Sequence, residues 1–269
     1  MNSMPEGAEV RKYGQSLAEK VSGATLTSVN IISGRYTKKL PEGFESFCNQ
    51  LPAPIVGVGV HGKFLYWILA NDTYIHSSLG MTGHWTDQKA DHVRVEFVTS
   101  RGTVRYSDQR NFGTLKFTTG KRTLIEKLES LGPDMLSDVS DDQFIECIRK
   151  KPSWSVAKVV MDQNIIAGVG NYVKAESLWL SKLSPHRIVE DLTDHDLKIL
   201  NHSIQTVLRE SLQNGGATLR TYRGFDGSVG QYTSMFAVYN QLQDPDGNEV
   251  IKEKTTDGRT THWVPAVQI

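Results

Sequence analysis

From residue 24 to about 117 the apolar positions fall in short runs separated by Gly, Asn or Asp: "TLTSVNII", "PIVGVGV", "KFLYWIL", "TYIHSSL", "VRVEFVTS" and "TVRYS". Runs so rich in β-branched and aromatic residues predict strands, and their spacing predicts an all-β half folded as a sandwich. Arg101-Gly102 is expected to turn the last two into a hairpin. Ahead of them, "EVRKYGQSLAEKVSG" sets Val10, Tyr13, Leu17 and Val21 on one helical stripe, with Gly23 as its stop.

Beyond "LGPDML" the period becomes helical. Asp141 and Asp142 open a short helix at its positive end, and "SVAKVVMDQNII" predicts a second. The stretch "AGVG" breaks the pattern, and "NYVKAESLWLSKL" resumes it with Tyr172, Leu178, Trp179 and Leu183 as the expected buried face. A fourth helix, "TDHDLKILNHSIQTVLRESLQ", starts at a capping residue and ends at Gly215-Gly216. Asp246-Gly247 and Asp257-Gly258 predict turns of a small β-hairpin unit in the tail. The fold expected is α+β: a helix and β-sandwich over 1–130, then a helical domain over 131–269 that ends in a hairpin from about 233.

Composition narrows the chemistry only slightly. The 269 residues carry 30 basic and 30 acidic side chains, so net charge neither favours nor excludes a polyanionic partner. Cys48 and Cys147 are the only cysteines, too few for a disulfide framework or a four-cysteine metal site. With no apolar run of about 18 residues and no basic-then-apolar leader, the expectation is a soluble monomer in a reducing compartment, cytoplasmic or nuclear, away from membranes.

Several short motifs occur in a fixed order: "MPEGAEV", "GK" at 62–63, "LGMTG" at 79–83, "DQRNFG" at 108–113, "LGPD" at 131–134, "MDQNIIAGVGNY" at 161–172 and "GRTTHWVPAVQ" at 258–268. Together they resemble the formamidopyrimidine-DNA glycosylase / endonuclease VIII family of base-excision repair enzymes, over nearly the whole chain. The resemblance implies damaged DNA as partner, no cofactor, and removal of an oxidised base followed by strand cleavage by β,δ-elimination. A silent binder of damaged DNA is the alternative.

Pro5 and Glu6 are the implied catalytic pair. A lysine amine, with a pKa near about 10.4, is almost wholly protonated at neutral pH, whereas an α-amine near about 7.7–8.0 keeps a useful free-base fraction. A secondary amine attacking sugar C1′ yields an iminium that is cationic without further protonation and serves as an electron sink. Glu6 beside it would shuttle protons. The chemistry needs Pro5 at a chain terminus, because an internal proline nitrogen is an amide; start at Met4 with its removal, or clipping of residues 1–4, is therefore expected. The resemblance gives Lys63 an active-site phosphate contact.

A base cannot be attacked at C1′ until it is rotated out of the duplex, and the gap must be filled. Met81, Arg110 and Phe112 match the family's void-filling residues: two apolar wedges and a donor for the orphaned base. "AGVGNY" matches a helix-two-turn-helix with Asn171 at its phosphate-binding position, Glu176 orienting the region one turn on. Arg259 matches the finger arginine that grips the phosphates flanking the lesion.

Most relatives fold that finger around zinc with four cysteines. Here Val264 and Val267 stand where the last pair would be, which implies a zincless finger and no metal. The loop at 215–232, with Arg220, Tyr222 and Arg223, resembles the lesion-capping loop of the formamidopyrimidine enzymes. Gly7, by contrast, resembles the opening of the endonuclease VIII branch, which favours oxidised pyrimidines, and with the zincless finger it makes the resemblance one to the zincless, endonuclease VIII-like members of plant, fungal or viral type; Ala8 replaces the usual proline.

Overall fold

The computed structural model describes residues 4–217, 225 and 231–269. It is a mixed α+β chain with an N-terminal β-sandwich, a helical region and a C-terminal hairpin. It divides into two units, one containing Pro5 and Glu9–Glu129, the other Glu6–Ala8, Ser130–Ala217 and Gln231–Ile269.

Helix α1 (Gly7–Val21), in the first unit from Glu9 onward, buries the predicted stripe: Val10, Tyr13, Leu17 and Val21 are each at most 1% exposed. Gly23, at φ 75°, ends it in the left-handed region that a side chain disfavours. Eight strands follow: β1 (Thr25–Ile31), β2 (Ala53–His61), β3 (Phe64–Leu69), β4 (Thr73–Ser78), β5 (Gly83–Thr86), β6 (Val93–Thr99), β7 (Gly102–Asp108) and β8 (Thr114–Thr119). They run in the order β5-β7-β6-β1-β2-β3-β4-β8 with every pairing antiparallel. β1 and β2 share only two register pairs, Thr25↔Pro54 and Leu26↔Ala53. The ladder breaks there into two four-stranded layers, which close on an aromatic core: Trp67 lies 5.1 Å from Trp85 and 5.5 Å from Phe97, ring centre to ring centre.

Four elements of this unit are not singled out by the hydrophobic pattern. β5 spans four residues, too few to show a period, and β8 shows its alternation only through buried Leu115 and Phe117. The short helices α2 (Phe44–Cys48) and α3 (Lys121–Glu129) each bury one residue, Phe47 and Leu124. The expected turn at Arg101-Gly102 is shifted by one residue. Thr99 pairs with Gly102, so Ser100 and Arg101 make the turn and Gly102, at φ 122°, opens β7.

In the second unit α4 (Asp141–Arg149) is capped by the Ser140 hydroxyl, which accepts from the Gln143 N–H. α6 (Asn171–Leu180) and α7 (Asp194–Gln213) follow, α7 starting at a Thr193/Asp196 capping box. The helix expected over "SVAKVVMDQNII" is only α5 (Val156–Val159). Side chains outbid its backbone ladder: Asp162 accepts from the Asn164 N–H at 2.9 Å, and Gln163 bonds the Val169 carbonyl and the Gly168 N–H. Trp179 is half-buried rather than core, its indole N–H donating to Asp244. The tail has one regular hairpin, β9 (Ile251–Lys254) with β10 (Thr260–Trp263); the chain also turns at Asp246-Gly247, where the Gly247 N–H bonds the Asp244 carbonyl at 3.0 Å, but the flanking residues pair only as the isolated bridge Gln243↔Glu249 and form no regular strands. Among the described residues no helix is long and apolar enough to cross a membrane.

Candidate catalytic and DNA-binding site

Glu6 is 1% exposed, and its carboxylate is held at the start of α6. Oε1 accepts from the Tyr172 N–H at 2.9 Å and Oε2 from the Val173 N–H at 3.2 Å. These are among the amides that a helix leaves without an internal partner, and the positive end of the helix favours the charge placed there. Gly170, the residue before the helix, makes this possible. A Cβ at Gly170 would lie 2.2 Å from Glu6 Cδ, so any side chain there evicts the carboxylate. Pro5, covalently joined to Glu6, is buried.

Gly7 has a packing reason of its own. Its N–H donates to the Gly168 carbonyl at 2.9 Å, and a Cβ would sit 3.0 Å from Gly168 Cα. The "LGPD" motif supports the same turn: a Cβ on Gly132 would meet the Ile165 carbonyl at 2.2 Å, and the Ala167 and Met135 N–H groups bond across to Pro133 and Ala167.

Asn171 is the first residue of α6. Its Nδ2 donates to the Thr260 carbonyl of β10 at 2.8 Å, while its Oδ1 is buried without a hydrogen bond. The cap is Gly170, not Asn171. Arg259, exposed, ends the β9–β10 turn one residue before Thr260. Glu176, 4% exposed, accepts from the Ala237, Val238 and Tyr239 N–H groups at 2.8, 3.0 and 2.7 Å. Burial pushes its pKa up against those three bonds. It thus fixes the segment that leads into the hairpin.

In the sandwich unit Gly62, at φ 55°, and Lys63 form the two-residue turn between β2 and β3, with Lys63 half-buried at its second position. Met81 is half-buried on the Leu79–Gly83 turn, and Phe112 is 55% exposed on the loop before β8. The two turns touch, since a Cβ on Gly80 would lie 2.7 Å from Phe112 C and Gly113 N. Asp108, 1% exposed, joins them, accepting from the Thr82 hydroxyl at 2.5 Å and the Gly113 N–H at 2.8 Å. The Arg110 N–H donates to Thr82 Oγ1 at 3.0 Å, and its exposed guanidinium lies 4.6 Å over the Phe112 ring. Arg35 donates to the Asn111 carbonyl at 3.0 Å and to the Gly113 carbonyl.

Each unit therefore brings its own candidates together: Met81, Arg110 and Phe112 in one, Glu6, Asn171 and Arg259 in the other. Arg220, Tyr222 and Arg223 lie outside the described residues. Sequence reasoning missed Asp108, Gly170, Lys174 and Asp257, which act through burial and backbone contact. Only the recurrence of Asp and Gly inside the quoted motifs could have signalled any of them. Glu9, Asp134 and Gln268 are likewise buried, Gln268 tying Val264 N to the Leu183 carbonyl.

The hairpin does not fit zinc. Neither cysteine lies in it, and among the described residues no three His, Cys, Asp or Glu side chains converge on a metal position. Its interior is filled by Val250, Thr261, His262 and Val264, with Tyr239 edge-on to His262 at 5.0 Å.

Three family models cover the chain in sequence: the formamidopyrimidine-DNA glycosylase N-terminal domain over residues 4–115, its H2TH domain over 131–223 and its C-terminal domain over 231–269. A formamidopyrimidine-DNA glycosylase of Halalkalibacterium halodurans is 30% identical over 275 residues, covering 98% of this chain and 100% of that one. The chain belongs to the formamidopyrimidine-DNA glycosylase family. Among solved structures, the MutM (Fpg) protein of Thermus thermophilus matches with a TM-score of 0.87 at 29% identity, over 98% of both chains. A Lactococcus lactis Fpg mutant in complex with Fapy-dG containing DNA also matches at 0.87, with 26% identity over 98% of this chain and 99% of that one.

Proposed function

We propose that this DNA glycosylase of base-excision repair also cleaves the strand it has cleared, through a Schiff base on Pro5 with Glu6 as its proton shuttle. The observation that carries the reading is the Glu6 carboxylate, buried on two helix-terminal amides and bonded through the chain to Pro5. Once residues 1–4 are gone, the Pro5 nitrogen attacks C1′ as the bond from C1′ to the base breaks and the base departs. The Glu6 carboxylate takes the proton that the attacking Pro5 nitrogen gives up and passes it to the ring oxygen, so the sugar opens to an iminium; loss of the C2′ proton then expels the 3′ phosphate, and a second elimination frees the 5′ phosphate.

Met81 and Phe112 enter the gap left by the extruded base, and Arg110 pairs with the orphaned partner. Lys63, Asn171 and Arg259 hold phosphates. The finger is zincless, with buried valine, threonine and histidine side chains packed in place of metal. For the lesion, solved relatives hold DNA containing Fapy-dG, carbocyclic 8-oxo-G or an oxidised pyrimidine, which supports an oxidised base of either class as the substrate.

Intact mass combined with borohydride trapping on DNA bearing an oxidised base or an abasic site tests the central step. Active protein is expected to begin at Pro5 and to be trapped covalently, while Glu6→Gln loses base excision. Full lyase activity in a chain that retains Met1 overturns the Pro5 assignment and points to a lysine, Lys63 first. Binding of damaged DNA with no product from a chain beginning at Pro5 would favour the silent-binder reading.

A further inference from the structure

Lys174 is 0% exposed, yet it carries a charge on a long flexible stem. It lies on α6 three residues after Asn171, on the same face. Its Nζ is 2.5 Å from Asp257 Oδ2, and the Asp257 side chain is only 4% exposed. Burial lowers the lysine's pKa, and the contact with Asp257 and the charge of Glu6 oppose that.

Asp257 is the middle residue of the turn between β9 and β10. Its second oxygen, Oδ1, accepts from the Thr255 hydroxyl at 2.6 Å and from the Arg259 N–H at 3.2 Å. One carboxylate thus links the buried ammonium directly to the backbone of Arg259. The rest of the turn is fixed to match: Thr255 N–H bonds the Arg259 carbonyl at 3.0 Å, Gly258 takes φ 74°, and Asn171 holds the next carbonyl, that of Thr260. Ser155, the cap of α5, meets Thr256 at 2.6 Å.

A buried ion pair is often no more stabilising than an apolar pair of the same volume, so stability alone gives little reason for this one. What it supplies is direction. An apolar contact would let the turn slide on α6, whereas a carboxylate shared between an ammonium and a backbone amide fixes where the arginine's chain leaves the turn.

We propose that Lys174 is a positioning residue whose ion pair with Asp257 aims Arg259, together with Asn171, at the DNA backbone; the inference rests on the reading of Arg259 as a phosphate contact. Being fully buried, Lys174 touches no phosphate itself.

The test is a double-mutant cycle read by binding of duplex containing a tetrahydrofuran abasic analogue over a range of salt, with thermal melting alongside. Arg259→Ala should weaken binding about tenfold and lower the salt slope by about one. Lys174→Met should do both in the parent protein, and should change affinity no more than about twofold when Arg259 is already alanine. The pair Lys174→Met/Asp257→Leu should recover melting temperature lost by either single change without recovering affinity or slope, which also guards against a single variant that folds poorly. The strut falls if Lys174→Met leaves the slope unchanged while Arg259→Ala lowers it. It also falls if its affinity loss is the same in both backgrounds, or if the paired apolar variant binds like the parent. Unchanged binding in Arg259→Ala overturns the phosphate reading itself, and the strut with it.

Discussion

In the sandwich unit the candidate contacts ride on turns whose backbone is fastened from beneath by one carboxylate, while Phe112 and Arg110 stay outside. In the helical unit the candidates are tied down by side chains: Asn171 on Thr260, and Arg259 through its own N–H on Asp257. The proposed wedge role asks for an apolar tip free to enter a stack on a held turn, and of the two candidates it is Phe112 whose tip is left exposed. A phosphate grip gains from a fixed direction, because charge-assisted hydrogen bonds reward geometry. The same backbone economy, a buried Asp or Glu accepting loop amides, serves both ends.

The comparison breaks most sharply at Gly170. Gly170→Ala should push Glu6 off its amides and lower single-turnover base excision by about 10²-fold or more, the usual worth of a placed acid or base. DNA affinity should change little. Excision at the parent rate would mean that Glu6 does not act from the position seen here.

Next is Asp108→Ala, which orphans the Thr82 hydroxyl and the Gly113 N–H and should cost about 1–3 kcal/mol of stability. It should slow base removal through both turns at once. An unchanged melting temperature would contradict the assigned bonds.

Phe112→Ala and Met81→Ala should slow removal of a paired base far more than cleavage of a ready-made abasic site, because extrusion costs a few kcal/mol only where a base is stacked. Melting should hardly move for Phe112, which is more than half exposed. Equal losses on both substrates would return these residues to the core.

Acid should then treat the units alike. His76 in the sandwich and His262 in β10 are each lowered to about 4, first by burial, then by nearby lysines: Lys116 and Lys127 for His76, Lys252 and Lys174 for His262. A folded-state pKa below the unfolded value of about 6.5 means that unfolding takes up protons. Their stabilising effect is complete above about pH 6.5 and is lost as pH falls through about 4. His76→Gln and His262→Gln should each flatten the melting-temperature profile over that window; a parallel downward shift would refute the buried neutral imidazole.

The smallest effect expected is none. Chelators should leave fold and excision intact, and stoichiometric zinc lost together with activity would overturn the zincless finger.

Much of this was legible in the chain. The stripe of α1, six of the strands, the Thr193 cap and the glycine-marked turns follow from local periodicity and capping, which neighbouring residues decide among themselves. The motifs named the family and the candidate residues, because chemistry needs particular side chains in a particular order. Other features were not legible. The helix expected over 155–166 failed because Asp162 and Gln163 found backbone partners that propensity does not weigh. Tyr172, Leu178 and Leu183 are buried as their spacing predicts, but the partial exposure of Trp179 and the strand β5 depended on neighbours distant in sequence.

The sequence by itself determined an α+β chain of this glycosylase family, a proline and glutamate at its start and a hairpin without a cysteine quartet. Only the tertiary structure decided that Glu6 rests on the amides of Tyr172 and Val173, that Gly170 must lack a side chain, that Asp108 joins two turns, and that Lys174 meets Asp257 eighty-three residues away. The physical reason is that a buried charge is defined by the partners folding brings to it, and those partners leave no mark on the local pattern around the residue.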